Sequence, residues 1–184
     1  MTWDAFHRRG EVLRNVLEHA ETHRDGALPM ELPGVAETFG DELTLLGALQ
    51  LRWHTRLAGA IERELMGQPV DLESAVTTAW RKTATELAGL RAILDAFTES
   101  PASEEMAAML EKAHGKDWTL MAAMAGKASP ADHAAARVGR AIEQKAREAY
   151  RPGAARQGEP GRRRAVSARQ SLLERVKAHL HLAA

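Results

Sequence analysis

Between residues 41 and 66 (DELTLLGALQLRWHTRLAGAIERELM) the apolar positions Leu46, Leu49, Trp53, Leu57, Ala60 and Ile61 recur at steps of three and four. That spacing lays them along one stripe of a 3.6-residue helix, and the stripe must meet other helices. Glu42, Gln50, Arg52, Arg56 and Arg63 fall mostly off it. The helix therefore has a wet side and is not a membrane span, which needs ~20 largely uncharged residues. Its ends are also written locally. Asp41 is placed to cap the first turn, Gly67 to supply a left-handed closing residue, and Pro69 to prevent continuation.

The same periodicity predicts helices on either side. A first helix is expected over 3–24, with Trp3, Phe6, Gly10, Leu13, Leu17 and Ala20 facing inward and Asp25-Gly26 ending it. Gly10 on that stripe reads as a point of close backbone approach. Residues 27–40, with two prolines and two glycines, read as a traversing loop with one helical turn after Pro33. Asp71 is expected to cap a third long helix over 72–97. Its stripe of Leu72, Val76, Ala79, Thr83, Leu87, Leu90, Leu94 and Phe97 is nearly heptad. The short connection makes this helix antiparallel to the second. Ser100-Pro101 and Ser129-Pro130 are read as serine caps followed by proline at the first helical position, opening a fourth helix to Gly126 and a fifth to Tyr150. The fifth is alanine-rich and must pack closely or remain marginal. No strand-like alternation and no solenoid repeat stand out.

The expected fold is thus all-α: an antiparallel bundle of about five helices over 1–150, followed by a tethered C-terminal helix. Residues 151–164 (RPGAARQGEPGRRR) lack apolar bulk and read as a flexible basic linker. Residues 165–184 carry Leu172, Leu173, Val176 and Leu180 as a narrow amphipathic stripe.

Composition changes this picture in two places. The 184 residues balance to zero net charge, yet residues 1–150 hold 17 Lys+Arg against 23 Asp+Glu and residues 151–184 hold 8 against 2. An acidic body therefore bears a basic tail, and the asymmetry calls for an electrostatic partner or for docking of the tail on its own body. There is no cysteine, which excludes disulfides, thiolate zinc sites and cysteine nucleophiles. With no signal-like segment near the N-terminus, a cytoplasmic location is expected. Abundant alanine and arginine with scarce lysine suggest GC-rich coding.

The stretches TFGDELTLLGALQLRWHTRLAGAIERELM and AVTTAWRKTATELAGLRAILD resemble an uncharacterised group of small all-helical actinobacterial proteins. The resemblance covers roughly residues 1–150. It implies the helical fold and transfers no activity or catalytic residue.

Candidate chemistry is sparse. His19 and His23 stand at i and i+4, a spacing that can present two imidazoles to one metal. Glu111 and His114 form a Glu-x-x-His pair of the kind used in di-iron carboxylate bundles, and His54 lies beside Trp53 on the central helix. An iron or zinc site would need these to converge, and a second Glu-x-x-His is missing. The plainer reading ends an exposed helix with His19 and His23, where imidazolium suits the helix dipole, and packs His114 beside Trp118. Trp3, Trp53, Trp80 and Trp118 and the methionines of the fourth helix read as core before they read as a pocket. Gly-x-Ser-x-Gly, Walker and dinucleotide patterns are missing from the sequence, so no catalytic residue is assigned.

In the tail, Arg162, Arg163, Arg164, Arg169, Arg175 and Lys177 can neutralise phosphates, which makes nucleic acid one candidate partner. No aromatic is interleaved for base stacking. The reading favoured by the sequence is a non-enzymatic binding or adaptor protein that reaches a protein or polyanion partner through the tail. The alternative is a metal-binding, ferritin-like bundle. Self-association of the bundle is a further option.

Overall fold

The structure, a computed structural model, describes residues 3–150. Among these, seven helices and no strand occur: α1 Trp3–His23, α2 Val35–Phe39, α3 Glu42–Met66, α4 Leu72–Glu86, α5 Ala88–Glu99, α6 Glu104–Met124 and α7 Ala135–Glu148. No helix among the described residues is long and apolar enough to cross a membrane. The expected linker and C-terminal helix over 151–184 lie outside the described residues.

Local capping sets α3 and α4 as the sequence suggests. Asp41 Oδ1 accepts the Thr44 N–H at 2.7 Å, and Asp71 Oδ1 accepts the Ser74 N–H at 3.0 Å, so each satisfies an amide the helix itself cannot. The α3 stripe is fully buried, with Leu45 joining it, and Trp53 meets Trp80 of α4 edge-on at 5.8 Å between ring centroids. Lys82 pairs with Glu64 and Arg56 with Glu86, so the two helices run in opposite directions. The left-handed residue after α3 is Gln68 (φ 49), while Gly67 stays at φ −73. The segment after α1 does carry a short helix, and its Leu28, Val35 and Phe39 are buried in the common core.

Four further expectations about the helices need correction. First, the helix expected over 72–97 is broken at Leu87 (φ −116, ψ 45) into α4 and α5. The cause is α1: a Cβ on Gly89 would sit 2.1 Å from the Ala20 carbonyl oxygen, and Glu21 Oε2 accepts the Gly89 N–H at 2.9 Å. The end of α1 thus presses on the start of α5 and satisfies one of its free amides with a carboxylate, where the helix dipole favours negative charge.

Second, Ser100-Pro101 closes α5 and does not open α6. Proline cannot extend α5, and Ser103 Oγ accepts the Met106 N–H at 3.1 Å ahead of Glu104 and Glu105. Third, α7 begins at Ala135 and not after Ser129-Pro130. Asp132 Oδ1 accepts the Ala134 N–H at 2.8 Å, a side-chain turn that holds the backbone out of the helix until that point. Fourth, the α1 stripe has Val12 and Val16 at its centre beside the expected Ala20, Leu13 and Leu17, the side chains of Trp3 and Phe6 lie outside the described residues, and nothing lies within 4 Å of a Cβ placed on Gly10.

The close approach that Gly10 does not make is made by Gly139. A Cβ there would sit 1.8 Å from the Trp118 carbonyl oxygen, so α7 lies directly on the backbone of α6. Ala135, Ile142 and Ala146 are buried in the same contact region, and the alanine-rich helix therefore packs closely.

Candidate functional site

α3 and α6 carry the most developed polar cluster. Gln50 and His54 are one helical turn apart and so share a face of α3. Both reach Asp117 of α6: Gln50 Nε2 donates to Oδ2 at 2.9 Å and His54 Nδ1–H to Oδ1 at 2.5 Å. Asp117 is only 3% exposed. Burial pushes its carboxyl up from the usual range, and the His54 bond opposes that rise. The outcome is an imidazole whose tautomer and orientation are fixed by a buried carboxylate, with Nε2 left over.

Gln50 stands on the buried side of α3, not on the wet side expected from the sequence. The alternative series Leu46, Gln50, Trp53, Leu57 passes through it at helical spacing, and this was the one signal that Gln50 belonged inside.

A second polar chain joins α5, α6 and α7. The Arg91 guanidinium is buried over the Trp53 ring at 4.7 Å, with Asp95 Oδ1 at 2.9 Å from Nη2 but out of hydrogen-bond alignment. Burial pushes Arg91 below its ordinary value, Asp95 opposes this, and a guanidinium remains charged at any ordinary pH. Asp95 also accepts from Arg147 Nη2 at 2.9 Å. Arg147 Nε donates to Glu143 Oε1 at 2.7 Å, and Glu143 Oε2 accepts the Trp118 Nε1–H at 2.5 Å. Charges alternate along this chain, so each buried group meets its opposite. His114 lies beside Trp118 at 5.7 Å between ring centroids, and its Nε2 is buried without a partner among the described residues. Desolvation, helped by the Arg91 charge, pushes His114 down and favours the neutral ring.

Two of the larger cavities open on these clusters. Gly47, Gln50, Leu51, His54, Met109, Lys112, Ala113 and Lys116 line a cleft of ≈ 520 Å³ between α3 and α6. Asp95, Thr98, Glu99, His114, Trp118, Arg140, Glu143, Gln144 and Arg147 line a second of ≈ 330 Å³ among α5, α6 and α7.

Of the residues expected as metal ligands, Glu111 and His114 line one cavity of ≈ 240 Å³, while His19, His23 and His54 lie away from it. His19 and His23 stack on each other at 3.9 Å at the exposed end of α1, where the His23 Nδ1–H donates to the His19 carbonyl at 2.9 Å. His54 is engaged by Asp117, Glu111 is exposed on α6, and His114 is turned into the α5–α7 chain. Among the described residues no group of three or more histidine, aspartate or glutamate side chains is placed to hold a metal ion. Trp53 and Trp80 are core residues, as expected, while Trp118 is half-buried and bonded to Glu143. The tail residues Arg162, Arg163, Arg164, Arg169, Arg175, Lys177, Leu172, Leu173, Val176 and Leu180 lie outside the described residues.

Comparison of the chain with protein-family models, with curated proteins and with solved structures gives no match. Function must therefore be argued from the chain's own chemistry. The arrangement at Asp117 holds an oriented hydrogen-bonding imidazole at the wall of a cleft.

Proposed function

We propose that this chain is a non-enzymatic helical binding or adaptor module whose basic C-terminal tail engages a protein or polyanion partner. The charge division carries this reading: 8 Lys+Arg against 2 Asp+Glu in residues 151–184, set beside 17 against 23 in residues 1–150. A concentration of one sign on a short terminal segment is an electrostatic handle for a partner of the other sign. The body supports the reading as a scaffold. Its polar bonds, from His54 and Gln50 to Asp117 and from Trp118 and Arg147 to Glu143, tie α3 to α6 and α6 to α7.

The test compares the full chain with residues 1–150 in capture on immobilised heparin and from a cell lysate, at low and high salt, alongside the melting temperature of each. The full chain is expected to capture in a salt-sensitive way, because charges beyond ~8 to 10 Å are screened. The truncated chain should lose capture and keep its melting temperature. A truncation that lowers the melting temperature by several degrees and leaves capture unchanged would show that the tail serves its own body.

A further inference from the structure

The α3–α6 cleft is lined by basic side chains and by no acidic one. Lys82 pairs with Glu64, and Lys127 and Lys145 both pair with Glu73, whereas Lys112 and Lys116 have no acidic partner among the described residues. Both line the cleft, one helical turn apart on α6, and no acidic side chain lines it with them. In a body with six more acidic than basic residues, two unpaired lysines at one opening form a local positive field. Both helices add apolar surface to the opening. Leu51 is 65% exposed, among the few large hydrophobic side chains left in water, and Met109 and Ala113 line the same opening.

The geometry points to a binding site here for a small organic anion, with an anionic oxygen headgroup held by Lys112, Lys116 and His54 and an alkyl or aryl group laid on Leu51 and Met109. Asp117 makes His54 suited to this. It takes the Nδ1–H at 2.5 Å, so the ring is already oriented and loses little freedom on binding. In the imidazolium form, the buried carboxylate balances the charge while Nε2–H donates to the ligand. Gln50 Nε2 holds the other carboxylate oxygen at 2.9 Å, and so keeps Asp117 from turning away. A volume of ≈ 520 Å³ is that of a small-molecule site. A bare phosphate would satisfy the lysines and leave the apolar surface unused, so the organic anion is preferred.

The test is calorimetric titration of the full chain with octanoate, octanol and inorganic phosphate. Octanoate is expected to bind at one site per chain, at least tenfold tighter than either of the others. The double variant Lys112→Glu/Lys116→Glu should weaken octanoate at least tenfold with an unchanged melting temperature, since both side chains are exposed and unpaired. Leu51→Asn should bring octanoate down towards phosphate. As a measurement that needs no variant, the His54 ring signals in a proton–carbon spectrum should shift on addition of octanoate. Equal octanoate affinity in the lysine variant would overturn the proposal, as would phosphate binding as tightly as octanoate, a static His54 signal, or no saturable binding of octanoate.

Discussion

The α3–α4 pair and the α5–α7 group are buried alike and built from different materials. α3 and α4 bury Leu46, Leu49, Leu57, Ile61, Val76 and Ala79 with Trp53 against Trp80, and keep their charged pairs, Arg56 with Glu86 and Lys82 with Glu64, at the margin. The four ionisable side chains buried among the described residues, Arg91, His114, Asp117 and Glu143, all belong to α5, α6 and α7. An apolar seam asks only for volume and spacing, and tolerates exchange of one large residue for another. A polar seam asks for each partner by name, because a buried donor or charge left alone costs more than its bond contributes. The second group also uses contact without side chains, at Gly139, where backbone meets backbone.

Four perturbations sharpen this contrast. The largest effect is expected from Gly139→Val, whose side chain would collide with the Trp118 carbonyl. Backbone cannot swing aside as a side chain does, so the cost should reach or exceed ~3 kcal/mol, the upper end for overpacking. Denaturant unfolding that finds less than ~1 kcal/mol would mean α7 does not lie on α6 in this way.

Leu49→Ala in α3 and Leu90→Ala in α5 follow, at ~2 to 5 kcal/mol each through lost burial and a residual cavity. Both leucines are almost wholly buried. If either costs under half a kcal/mol, that position is not part of the packed seam.

Acid should act on the second group through His114. Its folded-state pKa lies below the unfolded value of ~6.5, so the native state binds fewer protons than the unfolded one in that window. The stabilising difference is complete above ~6.5 and is lost as pH falls towards the folded value. His114→Phe should flatten that limb of the stability curve. An identical slope in variant and parent would place the acid sensitivity elsewhere.

The smallest effects are the caps. Asp71→Ala and Ser103→Ala should each cost ~1 kcal/mol, since each removes one side-chain acceptor from a helix start. Near equality is the point: caps are local and do not distinguish the two groups.

What could be read from the sequence follows the same line. The α3 stripe, the Asp41 and Asp71 caps and the short helix after Pro33 were legible because each depends on residues within a turn or two. The break at Leu87 was not, because α1 imposes it from 68 residues away. Gly10 and Gly139 look equivalent as letters, and only the neighbouring backbone tells them apart. His54 was singled out, but its meaning comes from Asp117, 63 residues on. The cleft joins Leu51, an exposed leucine on the wet face of α3, to Lys112 and Lys116 of α6, and no periodicity in one helix announces a meeting of two.

The contact between Glu21 and Gly89 also bears on the order of assembly. Thr83 O still accepts the Leu87 N–H, and Leu87 O the Arg91 N–H, so the chain around Leu87 remains helically connected. A fragment covering 72–99 has nothing to bend it, and its nearly unbroken stripe is expected to give one straight helix by NMR. The segment synthesised first therefore shapes one made later.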